Sequence, residues 1–174
     1  MNTIATFALD TPTLADADAL DAMAQESWRE TFAHFYRADD LASFLAQSFG
    51  PEGWLRRDLT NPAVRWQIAR DGDAIAGFVK LVPPNLPQAT SRDTQVGQLY
   101  VLSGWQGTGV AQALMDWAID TARGTGSPAI PLTVFEENHR AIRFYGKYGF
   151  VHVGDYDFPV GKQIDRDLVM RLAL

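Results

Sequence analysis

The 174-residue chain has no cysteine, only three histidines and no long apolar run. Without cysteine, it has no disulfides, thiolate nucleophiles or cysteine-ligated metal sites, and this usage predicts a cytoplasmic protein. The scattered residues His34, His139 and His152 match no metal-ligand spacing, so we expect no metal. No apolar run approaches the roughly 18 residues of a membrane span. The first ten residues lack a basic region and an apolar core, so we also expect no signal peptide.

Positive charge is in the minority, with 15 Lys and Arg against 21 Asp and Glu, a net charge of −6. This balance argues against a nucleic-acid partner. It favours cationic ligands by long-range attraction, although an acidic surface also serves solubility. The length predicts a single domain over residues 1–174 with a core of ordinary size.

Apolar periodicity and turn residues predict an α/β domain. Strands or hairpin arms are expected at 4–9, 64–69, 74–82, 99–102, 130–135, 150–155 and 168–174, with a turn around Pro159 and Gly161 before the last. Helices are expected around 16–31, 41–45, 51–59, 110–121 and 140–148, the first with a buried stripe through Trp28. A strand–helix–strand unit between antiparallel hairpins indicates a mixed sheet.

The stretch Val96 to Ala111 joins an apolar strand to a glycine-rich turn at the start of a helix. In Gln106-Gly107-Thr108-Gly109 two glycines permit positive φ, so that successive N–H groups can converge on an anion. Taken alone, glycines between a strand and a helix more often form a simple turn than a ligand contact. It lacks the Lys of a Walker loop, and Gln112 occupies the third glycine position of a dinucleotide-binding fingerprint.

Two separated motifs resemble those of the GCN5-related N-acetyltransferases, the GNAT family. The family pattern Q/R-x-x-G-x-G/A corresponds to the segment from Gln106 to Ala111, directly after a strand. The pattern N-x-x-A-x-x-F-Y-x-x-x-G-F corresponds to the segment from Asn138 to Phe150. The resemblance extends over the whole chain. It implies a single-domain α/β GNAT fold, a mixed and mostly antiparallel sheet of about seven strands with a splayed parallel pair, flanked by helices.

The same resemblance implies acetyl-CoA as the donor cosubstrate and a set of residues that bind it. The main chain of the strand, above all at Tyr100 and Val101, would pair with the pantetheine arm. The loop would hold the pyrophosphate, and Asn138 would either bind the arm or merely cap its helix. The implied donor-binding residues are Leu99, Tyr100, Val101, Gln106, Gly107, Thr108, Gly109, Val110, Ala111, Asn138 and Phe144.

Tyr145 is the catalytic residue that the resemblance implies. Expulsion of the CoA thiolate, whose thiol has a pKa of about 8.5, calls for a proton donor, and a phenol of pKa about 10 can supply the proton. A side chain at this position of an amphipathic helix is otherwise an ordinary core aromatic.

The N-terminal half is similar to the bacterial spermidine/spermine acetyltransferases within that family, through the segment from Glu26 to Phe32 and residues near it. This similarity implies a polyamine acceptor. The substrate-binding residues it suggests are Trp28, Glu30, His34 and Tyr36. From the residues alone, the aromatic cluster around Tyr36 is either core packing or the wall of an amine-binding cleft. Other acids open to a cationic acceptor are Asp39, Asp40 and Asp157.

The proton on the acceptor amine has no evident base in the sequence. Many relatives carry a Glu just before the strand, where this chain has Gln95, Val96, Gly97 and Gln98. Glu30 or Glu26 through water, or solvent through a chain of waters, remain open as the base. The loop from Pro83 to Asp93 is expected to be a surface connection, with a substrate lid as the other reading.

Two other functions are consistent with the same motifs. One is acetylation of a peptide or protein amine, and the other is a non-catalytic acyl-CoA sensor, against which the presence of Tyr145 argues. Family members commonly dimerise, so a homodimer is an expected partner state, but no residue pattern decides it.

Overall fold

The computed structural model describes residues 6–174. Five α-helices lie in this part of the chain: α1 Ala17–Phe32, α2 Ala38–Ser48, α3 Trp54–Leu59, α4 Val110–Gly124 and α5 His139–Tyr148. The same residues form seven strands: β1 Ala8–Asp10, β2 Arg65–Asp71, β3 Ala74–Val82, β4 Gln95–Val101, β5 Ala129–Phe135, β6 Val151–Val160 and β7 Gln163–Ala173. The predicted order of elements is confirmed.

The strands form two antiparallel sheets, β1-β2-β3-β4 and β5-β7-β6. β4 and β5 start side by side, where the Thr94 N–H donates to the Ala129 carbonyl at 3.2 Å. Within residues 6–174 no ladder continues from that point. The expected seven-stranded α/β fold is thus confirmed, but the mixed sheet is replaced by two antiparallel ones. A register shift between Lys80 and Leu81 accompanies the change, and such bulges twist a strand away from its neighbours.

Several boundaries differ from the predicted ones. β1 begins at Ala8, and the earlier part of the predicted 4–9 strand falls partly outside the described residues. β6 runs through Pro159, so the turn consists of Gly161 and Lys162 alone, with Gly161 at φ 59°. Because β6 is an edge strand, the missing N–H of Pro159 costs no central ladder bond.

Helices cover both faces of the first sheet. Phe78 on β3 packs in a cluster with Leu20 of α1 and Leu55 of α3, whereas its neighbour Val79 packs in a second cluster with Leu114 of α4. Successive side chains of a strand point to opposite faces, so the alternation in β3 divides the core into two layers. The stripe predicted for α1 is buried from Leu20 to Trp28.

Candidate active site

A cavity of about 930 Å³ opens where β4 and β5 separate. This volume lies within the range of small-ligand sites. Its walls come from α1, β4, the start of α4, β5, α5 and the β6–β7 hairpin. The cavity has two chemically different ends, one at the helix termini of α4 and α5 and one between α1 and β7.

The loop before α4 has the conformation that its glycines permit. Gly107 lies at φ 80° and Gly109, the residue preceding α4, at φ 98°. A Cβ built on either glycine meets no atom within 4 Å, so the space in front of the loop is open. The first N–H groups of α4 have no carbonyl partner within the helix, and with the helix dipole they favour an anion there.

The loop residues divide between the cavity and the core. Gln106, Gly107 and Ala111 line the cavity. Val110 is fully buried in the core, and the Thr108 hydroxyl donates to the Trp105 carbonyl at 2.7 Å. Any contact of Thr108, Gly109 or Val110 with an anion would therefore use the main chain.

The free edge of β4 faces the cavity. The Leu102 N–H donates to the Ala76 carbonyl at 3.0 Å, toward β3. Because successive N–H groups of a strand point to opposite edges, those of Val101 and Leu99 point away from β3, toward the gap. The expectation of a main-chain contact at Tyr100 is therefore shifted to Leu99 and Val101, while Tyr100 lines the cavity with its side chain.

α5 contributes a cap, an aromatic pair and three cations. Asn138 Oδ1 accepts the Ala141 N–H at 3.2 Å, which confirms the cap, and Asn138 lines the cavity with Nδ2 not used by the cap. Phe144 and Tyr145 both line the cavity, with ring centroids 5.6 Å apart. Three exposed basic side chains line the cavity on the same helix: Arg140, Arg143 and Lys147. No salt bridge occupies them among residues 6–174.

Tyr145 lies at the inner end of α5. Its side chain is buried, and burial raises the pKa of its hydroxyl above the usual value of a phenol. Within the described residues the hydroxyl makes no hydrogen bond. The Tyr100 hydroxyl accepts the Trp28 indole N–H at 2.8 Å, and burial raises the pKa of Tyr100 as well. Tyr145 therefore stays protonated at neutral pH, with a free hydroxyl at the cavity.

Aromatic side chains form the wall at the other end. Trp28 of α1 stacks at 6.4 Å from Phe158 of β6, and Tyr36 stacks at 6.4 Å from Phe135 of β5. These rings and Phe32 line the cavity. Aromatic faces attract cations, so this end suits an alkylammonium group.

Two buried carboxylates, Asp165 and Asp167, line the cavity beside these rings. Tyr36 donates its hydroxyl to Asp165, and burial together with that acceptor raises the pKa of Tyr36. Burial and the neighbouring charge of Asp165 raise the pKa of Asp167 to about 7, against a smaller opposite effect of the Thr133 hydroxyl.

The other acids and bases suggested by the sequence lie away from the cavity. Glu30 is exposed and accepts both the N–H and the hydroxyl of Ser103 at 2.8 Å. His34 is exposed and packs on Phe35. Neither residue lines the cavity, in contrast to Trp28 and Tyr36. The remaining acids that do not line it are Glu26, Asp39, Asp40 and Asp157.

The loop from Pro83 to Asp93 does not line the cavity either. Its Asn85 exchanges two hydrogen bonds with the Gln95 side chain, at 3.0 and 2.9 Å. Asp93 forms an ion pair with Arg171 at 3.3 Å. These contacts attach the loop to β4 and β7, so the structure favours a surface connection over a lid.

Sequence reasoning missed Asp165 and Asp167 because it began the last strand at Leu168. The polar alternation Gln163, Asp165, Asp167 continues the inward face of β7, and this period of two was the available signal. The cations of α5 were also missed, although Arg140, Arg143 and Lys147 recur at helical spacing.

Comparisons with known proteins agree with this geometry. The model of the acetyltransferase (GNAT) family matches residues 20–150. An uncharacterised N-acetyltransferase of Mycobacterium tuberculosis is 32% identical over 157 residues, covering 90% of this chain and 97% of the relative. A mycothiol acetyltransferase of Beutenbergia cavernae is 35% identical over 97 residues, covering 53% of this chain and 30% of that protein.

Solved structures show the same fold. The PaiA N-acetyltransferase of Thermoplasma acidophilum, solved in complex with coenzyme A, superposes with a TM-score of 0.78 at 20% identity, covering 98% of this chain and 100% of that one. A GCN5-related N-acetyltransferase of Rhodopseudomonas palustris gives a TM-score of 0.76 at 19% identity, over 100% and 99% of the two chains.

In the described part of the chain, no group of three or more His, Asp or Glu side chains is arranged to hold a metal ion. None of the helices within residues 6–174 is long and apolar enough to cross a membrane.

Proposed function

Because the chain belongs to the acetyltransferase (GNAT) family and is an N-acetyltransferase, we propose that residues 1–174 form one domain that transfers acetyl from acetyl-CoA to a small, positively charged primary amine. One observation carries the proposal. The cavity between β4 and β5 has cations and open helix N–H groups at one end, and aromatic rings with buried carboxylates at the other.

The first end fits the donor. The loop from Gln106 to Ala111 offers N–H groups to a pyrophosphate, and a side chain at Gly107 or Gly109 would occupy the space in front of it. The exposed cations Arg140, Arg143 and Lys147 suit the remaining phosphate charge. Leu99, Val101 and the Asn138 Nδ2 group offer hydrogen bonds to the amide-containing arm, and Phe144 adds apolar contact.

When bound, acetyl-CoA supplies a thioester carbonyl that an amine can attack and a thiolate that leaves. Tyr145 holds its proton at Oη and donates it to the departing sulfur. Its raised pKa keeps that proton in place beforehand but makes a free phenolate costly. Donation is therefore coupled to return of a proton to Oη from the acetylated nitrogen.

The second end supports a polyamine as the acceptor. Trp28, Tyr36, Phe135 and Phe158 provide aromatic faces for an alkylammonium chain, and Asp165 and Asp167 provide negative charge. A peptide acceptor, by contrast, would place several backbone amides against these aromatic faces, where they would lose hydration without gaining a partner. The support for a polyamine is thus the chemistry of the wall.

Incubation with acetyl-CoA and a panel of polyamines, amino acids and peptides, with products identified by mass spectrometry, tests the proposal. We expect acetylated spermidine or spermine as the main product. Preferential acetylation of a peptide would contradict the small-amine assignment. Binding of acetyl-CoA without any acetylated product would favour the sensor.

We also propose a homodimer, as the family resemblance implies, and a cytoplasmic location, as the absence of cysteine predicts. The support for the dimer within the molecule is β6, an edge strand on which Val151 is 59% and Val153 42% exposed. Light scattering of the purified protein tests the dimer, and a monomer at all concentrations would contradict it.

A further inference from the structure

The two carboxylates of β7 are held in different ways. Asp165 accepts hydrogen bonds from the Tyr36 hydroxyl and from Gln163 Nε2, the latter at 2.7 Å. Asp167 is only 7% exposed, and within residues 6–174 its carboxylate makes no ion pair; its hydrogen-bonding neighbour is the Thr133 hydroxyl, which lowers its pKa. It borders the cavity beside the Thr133 hydroxyl. Asp165 is therefore engaged by two side-chain donors, whereas Asp167 has only the Thr133 hydroxyl beside it and can accept further hydrogen bonds from a ligand.

The Asp167 carboxylate lies close to the expected site of chemistry. Asp167 pairs in register with Phe135, an aromatic wall residue of β5. The charge of Asp167 raises the pKa of Tyr100, which lines the cavity together with Tyr145. Tyr100 belongs to β4, whose free edge faces the donor, so these side chains converge on one region of the cavity.

The geometry points to Asp167 as the general base that removes a proton from the acceptor ammonium, with Asp165 as a positioning residue that attracts the cation and controls the basicity of Asp167. This inference rests on the proposed acetyl transfer. Asp167 on β7 would thereby take the role of the Glu that many relatives carry before the strand and that the segment Gln95 to Gln98 lacks.

The proton balance closes with the groups present. An ammonium R–NH₃⁺ gives one proton to an Asp167 carboxylate oxygen and becomes a free amine. Its lone pair forms the bond to the acetyl carbon, and the carbon–sulfur bond breaks with its electrons going to sulfur. The sulfur takes the Tyr145 proton, and the nitrogen returns a second proton to Tyr145. Asp167 then loses its proton to solvent, which is the one proton that the reaction releases.

The environment of Asp167 suits this task better than that of an ordinary carboxylate. Its pKa of about 7 lies roughly midway between the usual Asp pKa of 3.8 and the alkylammonium pKa of about 10.4. Desolvation in the aromatic wall lowers the ammonium pKa further. The free-energy cost of moving a proton from the ammonium to Asp167 is therefore smaller than for an ordinary carboxylate. Above neutral pH, Asp167 is still largely ionised and can accept this proton.

Other ionisable side chains also line the cavity. The tyrosines Tyr36, Tyr100, Tyr145 and Tyr148 all have raised pKa values, so they stay neutral across the pH range of interest. The other ionisable side chains that line the cavity are Arg140, Arg143 and Lys147 on α5, and Asp165 on β7. A change in charge near pH 7 is therefore expected from Asp167.

The test compares Asp167→Asn with Asp155→Asn, an exposed carboxylate on the neighbouring strand β6. Asp155 pairs with Arg166 and lies opposite Leu168, on the other face of the hairpin. With acetyl-CoA and spermidine, kcat/KM of the wild type should rise with pH through an inflection near 7. Asp167→Asn should lower kcat/KM about 10²-fold or more at pH 7, lose the inflection and recover partly toward pH 10. Asp155→Asn should follow the wild type.

Asp165→Asn tests the positioning role. The amide keeps an acceptor for Tyr36 but removes the charge that raises the Asp167 pKa, so the inflection should move to lower pH. Spermidine binding without acetyl-CoA, measured by calorimetry at pH 8, should weaken in Asp165→Asn and Asp167→Asn but not in Asp155→Asn. This readout does not depend on turnover.

The outcomes distinguish a wrong base assignment from a wrong proposed function. An active wild type whose inflection near pH 7 persists in a folded Asp167→Asn variant would overturn the base assignment and leave the proposed function standing. A wild type that acetylates no amine would overturn the proposed function and the base assignment with it. Unchanged spermidine binding in both β7 variants would overturn the role of the carboxylates in holding the cation.

Discussion

The two ends of the cavity are built by different means. The donor end uses main-chain N–H groups, two glycines with positive φ and exposed cations, all from residues 96–112 and 138–148. The acceptor end uses side chains from α1, β5, β6 and β7, and its Tyr36–Asp165 hydrogen bond joins residues 129 positions apart. Local chain conformation makes the first end, and long-range packing makes the second.

This difference has consequences for stability as well as recognition. Exposed cations such as Arg143 remain hydrated and cost the folded state little. Buried carboxylates such as Asp167 lose hydration, which destabilises the charged form and therefore raises the pKa of Asp167. Main-chain recognition tolerates many side chains, whereas a wall of rings and acids selects its ligand by chemistry. We therefore expect the acceptor end to decide specificity.

The largest effect is expected from Tyr145→Phe, at the junction of the two ends. Loss of the hydroxyl removes the proton donor but keeps the buried ring, so kcat should fall roughly 10²-fold or more. The affinity for acetyl-CoA should change little. Steady-state kinetics and acetyl-CoA titration measure both quantities. Full activity in the variant would remove Tyr145 from the catalytic role.

Gly109→Ala should affect the donor end alone. Gly109 lies at φ 98°, and a left-handed conformation costs a residue with a Cβ about 1–2 kcal/mol, so the loop should turn its N–H groups away. The KM for acetyl-CoA should rise about 10-fold, with little change in the KM for the amine. Gly104→Ala is the matched control, because Gly104 has no positive φ and open space around it. An equal effect of the two substitutions would argue against the loop.

Asp167→Asn should stabilise the protein although it lowers activity. The pKa of Asp167 is about 7 in the folded protein but close to the usual Asp value of 3.8 in the unfolded chain. Between these two pH values the unfolded chain has released a proton that the folded protein retains. Wild-type stability therefore falls as pH rises from about 4 to 7 and then levels off.

The amide carries no charge to bury, so the variant should gain up to about 4 kcal/mol at pH 8 and little near pH 4. Thermal unfolding at pH 4.5, 6 and 8 measures this gain. Tyr145→Phe is the control: it keeps Asp167, so its difference in stability from the wild type should not change with pH. Parallel curves for Asp167→Asn and wild type would show that the buried carboxylate has no such cost.

Asn138→Ala should have the smallest effect. Loss of the cap costs about 1 kcal/mol of stability, and loss of Nδ2 should raise the KM for acetyl-CoA a few-fold. Asn138→Asp keeps the capping oxygen but removes the donor. Normal acetyl-CoA binding in the folded Asp variant would leave Asn138 with the cap alone.

The sequence by itself determined the element order, the loop between β4 and α4, and the cap of α5. These features depend on neighbours within a few positions: glycines where φ is positive, Asn138 before a helix, and apolar residues at the period of a strand or helix. The donor-binding residues that we propose lie in two continuous motifs, so the family resemblance could point to them from the sequence.

Tertiary structure alone decided where β4 and β5 separate and which acids reach the cavity. Glu30 and Asp167 are both acidic residues in amphipathic elements, but only the packing turns Glu30 toward Ser103 and Asp167 inward. Burial, and hence the pKa of Asp167, depends on rings and strands contributed from across the chain. No local pattern encodes that environment, because desolvation is a property of the assembled cavity.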